Sequence, residues 1–169
     1  MAAPVSRLDK QTVFSAALIV AIGGLIYELL LGTAASYIFG DSIMSFSVTI
    51  GTILFGMGLG SLLAHRLQAN SGVSFVWTEL ALSLIGGNAV LLLFMAYAYT
   101  QIVWPIFICL SIIIGVCIGM EIPLMVSLVK QRSSRDTQKI LSRVLALDYI
   151  GALIASLVFP FLLLPYLGL

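Results

Sequence analysis

The sequence predicts an all-α, polytopic transmembrane helix bundle of about five spanning helices, with its N-terminus in the cytoplasm. Three observations carry that reading. Of 169 residues, 61% are apolar and 9% are charged, against about 45–50% and about 25% in soluble domains. Five runs (13–39, 43–67, 75–99, 102–129 and 140–164) meet the need of a bilayer span for about 20 mostly apolar residues. All eight Lys and Arg residues fall in three segments that five crossings place on one side. A chain this short has too little polar surface to cover so much apolar material in water. That excludes an ordinary cytosolic enzyme and a disordered tail. A net charge of +1 offers no field for nucleic acid, so no nucleic-acid partner is expected.

The first run is long for one crossing, which predicts tilting or a bend near Gly23 and Gly24. It is also too long for the apolar part of a signal peptide, so it is read as retained. Ala17, Ala21, Gly24, Glu28, Gly32 and Ala35 follow steps of four and three. They form one face of small residues with Glu28 in it. The second run carries Ser45, Thr49, Thr52, Gly56 and Gly60 on one stripe, headed by Asp41 as a candidate N-cap. Small residues at such spacing let helices pack closely within lipid. Gly24, Gly32, Gly56, Gly60 and Gly151 are therefore the predicted packing positions. His65, beside Arg66, is read as interfacial.

Glu79 lies near the inner edge of the third run and is expected to snorkel toward water. In the fourth run, Cys109 and Cys117 are eight residues apart, about 12 Å along a helix, too far for a disulfide. Pro123 follows Glu121 and frees the carbonyl of Gly119. The fifth run puts Asp148 on one face with Gly151, Ala152 and Ala155. Between these two runs lies the hydrophilic loop 130–139. Its Lys130, Arg132, Arg135 and Lys139, with Arg143 just beyond, read as an orientation signal drawn to anionic lipid, about 1 kcal/mol per basic residue. A docking site for a cytoplasmic partner is the alternative. The outer loops around residues 40–42 and 100–101 contain no Lys or Arg. The positive-inside rule then sets the N-terminus in the cytoplasm and the C-terminus outside. The whole of 1–169 reads as one membrane domain. Its apolar end, from Pro165, predicts either a longer chain or a terminus covered by another subunit.

An ionised carboxylate at mid-bilayer costs on the order of 2.5–3.5 kcal/mol by insertion scales. Glu28, Glu121 and Asp148, with Pro123, are therefore the candidate intramembrane polar site. Glu121 and Asp148 should lie at one depth, roughly 12 Å from the inner boundary at about 1.5 Å per residue. Two such acids on adjacent helices can share a proton or bind a cation between them. The competing account satisfies them by an ion pair with Arg143 or by hydrogen bonds to Ser and Thr. One histidine and two cysteines give no zinc set, no nucleophile–base arrangement is readable and no nucleotide-binding loop occurs. No cofactor, no metal and no catalytic residue is predicted.

Several motifs, taken in order, resemble the membrane domain of fused spermidine synthase-like proteins, itself similar to half of a major-facilitator transporter. They are Gly24-Leu-Ile-Tyr-Glu28, the stretch from Phe46 to Gly60-Ser-Leu-Leu-Ala64-His-Arg66, Gly119-Met-Glu-Ile-Pro123, Ala146-Leu-Asp-Tyr-Ile-Gly151 and Leu163-Leu-Pro-Tyr-Leu-Gly168. His65 departs from the facilitator loop motif, which has an acid there. In that family more helices follow, and usually a cytoplasmic aminopropyltransferase domain with a Gly-rich loop and catalytic aspartates. This chain has neither, so aminopropyl transfer is not carried over. What the resemblance implies is the membrane module, in a bacterial cytoplasmic (inner) membrane, with a polyamine or other cation as what the acids meet. The expected function is a non-enzymatic membrane subunit, packing against other subunits or further copies of itself as an accessory or assembly component. The alternatives are a transporter-like module handling a cation, proton or polyamine, and the anchor of a fused synthase.

Overall fold

The computed structural model describes residues 7–132 and 137–167, with side chains from 14 to 130 and from 137 to 166. Among the described residues the chain is helical, with no strand. Helix α1 spans Arg7–Phe39, α2 Ser42–Arg66, α3 Ser71–Tyr99, α4 Val103–Arg132 and α5 Thr137–Val158. A π-helical turn, Phe159–Leu163, leads into a short α6, Leu164–Leu167. Five helical segments are long and apolar enough to cross a membrane.

Local chemistry sets the helix ends. Gly40 adopts φ +75°, a conformation glycine takes without strain, and its N–H donates to the Ser36 carbonyl at 3.0 Å. Asp41 then caps α2: its side chain accepts from the Met44 N–H at 2.9 Å. Helix α2 closes with the Leu67 N–H donating to the Ala64 carbonyl at 3.0 Å. The turn from α1 to α2 is thereby tight, and the two helices run back along each other. At the far end of α5, Pro160 lacks an N–H and crowds the turn before it. The backbone widens there, and the Leu164 N–H donates to the Phe159 carbonyl, five residues back. The sequence predicts an uninterrupted run to 164; the wide turn is what the proline imposes on it.

Packing is organised around α1 and α4, each of which touches all four other long helices. Helices α2, α3 and α5 flank that pair, and α3 and α5 do not pack extensively on each other. The tightest contact is α2 against α4, where glycines interleave. A Cβ on Gly56 would reach 3.0 Å from the Gly115 Cα, and one on Gly60 would lie 3.0 Å from the Val116 Cα. From the other side, a Cβ on Gly115 would reach 2.9 Å from the Ile53 Cα, and one on Gly119 would run into the Met57 backbone. These positions need glycine because backbone meets backbone.

Two apolar clusters fill the interior. One holds Leu31, Ala34, Leu82, Leu93, Phe107, Ile114 and Cys117. It is closed by Phe39 stacked on Trp104, ring centroids 4.0 Å apart, with Phe107 edge-on to both. The other, near the α4–α5 connection, holds Ala17, Met125, Val129, Ile140 and Val144. The outer faces are apolar as well: Leu54, Phe55, Leu62, Trp77 and Leu84 are all exposed.

Candidate functional site

The polar interior lies between the two apolar clusters. On α4, Glu121 is one turn from Cys117 in the first cluster and one turn from Met125 in the second. On α3, Glu79 stands in the same way between Leu82 and Phe75. Glu121 is only 4% exposed, and its Oε1 is buried with no hydrogen-bond partner. The Oε1 of Glu79 is also buried and unpartnered, although the residue as a whole is partly exposed. The charges of Glu79 and Asp148 both act on Glu121, and those of Glu121 and Glu79 reach Cys117. These acids lie on three different helices, α3, α4 and α5.

Three hydroxyls, of Thr49, Thr78 and Ser111, are engaged within their own helices. Thr49 donates to the Ser45 carbonyl at 2.7 Å and Thr78 to Ser74 at 2.9 Å. Ser111 donates to the Phe107 carbonyl at 2.8 Å. Each bond returns to the helix's own preceding turn, as Ser and Thr do in apolar helices. The expected hydrogen bond from a Ser or Thr to Glu121 does not reach its Oε1. Nor, among the described residues, does an ion pair join Asp148 to Arg143.

The structure divides the expected site. Glu121 and Asp148 come into electrostatic reach of each other. Glu28 lies on an α1 face where Gly24 meets Ile118 of α4 and Gly32 meets Phe46 of α2. Pro123 sits inside a helix that continues through it, partly buried, just past Glu121. Glu79, expected to snorkel, is partly exposed, with one carboxyl oxygen buried. Helix α3 starts at Ser71, four residues before the apolar run, and this carries Glu79 eight residues deep. Of the basic residues, Lys130, Lys139 and Arg143 are exposed. Arg135, and the side chain of Arg132, lie outside the described residues. Lys139 and Arg143 line an open depression of about 400 Å³ with Gln138 and Ser142. Gly151 packs against α1, where its Cβ would lie 3.0 Å from the Leu18 carbonyl oxygen.

An all-helical chain with membrane-length apolar helices and acids inside them is the class that fold and site define. Comparison with known proteins then gives a relationship. The chain is 42% identical, over 95% of its length, to a polyamine aminopropyltransferase of Leptospira interrogans, of which it covers 32%. It is 41% identical over 86% of its length to polyamine aminopropyltransferase 1 of Streptomyces coelicolor, covering 27% of that protein. It is also 41% identical over 98% of its length to polyamine aminopropyltransferase 1 of Ralstonia nicotianae, covering 32%. The chain is thus related to spermidine synthase-like proteins and spans about a third of the relatives' length. No protein-family model and no solved structure matches it. These relatives correct the functional expectation. They are named as enzymes, so the relationship points to an enzyme-related function and overturns the expected non-enzymatic accessory subunit. The transporter alternative finds no support in those names.

Proposed function

We propose that the chain is the membrane-embedded helical module of an enzyme of polyamine aminopropyl transfer, lying in a bacterial cytoplasmic membrane with its N-terminus inside the cell. The observation that carries this is the identity of about 40% that runs along nearly the whole chain to proteins named for that activity. In this reading the helices hold the enzyme at the membrane. The transfer chemistry belongs to the part of such proteins that lies outside the matched third. Two features support the membrane part. Leu54, Phe55, Leu62, Trp77 and Leu84, on α2 and α3, are exposed, and large exposed apolar side chains of this kind favour a membrane or protein partner. Exposed Lys130, Lys139 and Arg143 gather at the connection between α4 and α5, where positive residues favour the cytoplasmic side.

The test uses the natural gene at its own locus. Cells carrying it are fractionated, and aminopropyl transfer to a diamine acceptor is measured in membranes and in the soluble fraction. The expected result is activity that sediments with membranes, is released by detergent and disappears when the gene is deleted. Activity found wholly in the soluble fraction, or unchanged by deletion, overturns the proposal.

A further inference from the structure

From one face of α5 we infer that Lys139 and Arg143 hold the headgroup phosphate of an anionic phospholipid, whose acyl chain lies along the same helix. Four residues apart, the two cations are neighbours on the helix surface, with Cβ atoms about 5–6 Å from each other. Both are exposed, and they line an open depression of about 400 Å³ together with Gln138 and Ser142. Among the described residues, neither is joined to an acid in an ion pair. The residues beside them fix the direction of this face. Ile140 and Val144 are buried in one cluster with Met125 and Val129 of α4, so Lys139 and Arg143 turn outward. Ser142 adds no donor, because its hydroxyl donates to the Gln138 carbonyl at 2.9 Å. The charged donors at the depression are thus the Lys139 ammonium and the Arg143 guanidinium fork, which suits the oxygens of a phosphate.

A free phosphate would need the cations alone. The rest of the face points to a lipid. Ala146, Ile150, Leu153 and Leu157 follow Arg143 at steps of three and four, which keeps them on its side of the helix. All four are exposed. The face therefore has two cations at one end and small or apolar side chains beyond them, the order of a phospholipid's head and tail. The length agrees. Ten residues separate Arg143 from Leu153, about 15 Å at about 1.5 Å per residue, which is one leaflet of a hydrocarbon core about 30 Å thick. Long cationic side chains near the boundary extend toward the headgroups, and basic pockets on the cytoplasmic side bind anionic headgroups. General attraction would treat every exposed cation alike. A site singles out the two that share the depression, and Lys130, also exposed, is not among its lining residues. The site needs the membrane placement proposed above and is independent of aminopropyl transfer.

The test is native mass spectrometry of the natural protein, purified in a neutral detergent and titrated with dioleoylphosphatidylglycerol. The comparison probes are inorganic phosphate and dioleoylphosphatidylcholine, which has the same chains and phosphate but no net charge. Phosphatidylglycerol is expected to be retained in preference to phosphatidylcholine, and inorganic phosphate to leave that retention unchanged. Arg143→Gln and Lys139→Gln should each weaken retention by about tenfold, the scale of a hydrogen bond to a charged group. Lys130→Gln should leave it unchanged. All three side chains are exposed, so each variant should elute from size exclusion as the natural protein does. Equal losses at Lys130 and at the pair would show a general attraction to the cationic surface and overturn the site. Retention that survives the double variant Lys139→Gln, Arg143→Gln would overturn it too, as would equal retention of the neutral lipid. Displacement by inorganic phosphate would mark a free-anion site and overturn the lipid. A protein that sediments with membranes yet retains no phosphatidylglycerol overturns the site alone. A protein found in the soluble fraction overturns the membrane placement, and the site with it.

Discussion

Helix α4 has two faces, and they are built on opposite principles. Toward α2 it offers Gly115 and Gly119, and the approach is so close that backbone touches backbone. Toward α3 and α5 it offers Glu121, whose buried oxygen meets no donor. The first face is finished: nothing more fits into it. The second keeps an unmet demand at the centre of the protein. Close packing without a hydrophobic drive relies on small residues and dispersion, and the α2–α4 seam uses both. A buried carboxyl opposes stability unless it is matched, so its presence on the other face calls for a reason other than folding.

Substitutions sharpen this contrast, beginning with the largest effect. Gly119→Val places branched carbons against the Met57 backbone, where neither helix can yield. Overpacking commonly costs about 1–3 kcal/mol, and more when backbone must move. The expected outcome is loss of the monodisperse peak in detergent size exclusion; a wild-type elution profile would show that the seam is looser than its geometry. On the opposite face, Glu121→Met swaps the orphaned carboxyl for an apolar chain of similar volume. It should raise stability by about 1–3 kcal/mol, the relief of an unsatisfied buried group, read as a higher melting temperature by circular dichroism. A lower melting temperature would mean that the carboxyl already has a partner.

Two smaller effects bracket these. Asp41→Ala removes the cap that accepts from the Met44 N–H and should cost about 1 kcal/mol, measured by the same melt. Gly24→Ala should be neutral or gain up to about 1 kcal/mol through helix propensity. Its Cβ would meet the Ile118 side chain at an ordinary 3.5 Å. A large loss at Gly24 would place a second tight seam where α1 meets α4.

The unequal legibility of these regions has physical causes. Apolar run length shows how many long helices there are and roughly where each lies, though not where each begins. The cap at Asp41 is local and readable from two residues. Gly56 and Gly60, at one-turn spacing, announce that something approaches closely, but their partners Gly115 and Gly119 lie far along the chain. Pairing of distant helices leaves no mark in local spacing. Glu79 was hidden for a different reason. The polar start Ser71–Ser74 does not look like part of an apolar run, yet it is helical, and those extra residues set the depth of the acid. Glu28 shares its helix face with Gly24 and Gly32, which look toward α4 and α2.

The central place of α1, in contact with every other long helix, also has a consequence in time. It is made before α4 and α5, with both of which it packs. Its Gly24 meets Ile118, which is made about 90 residues later. At about 5–20 residues per second, that is a wait on the order of 5–20 s. For that interval α1 has only the earlier helices beside it, and Glu28 must be kept within a partly assembled bundle. The order of synthesis thus leaves one of the two helices that touch all the others dependent on partners not yet made.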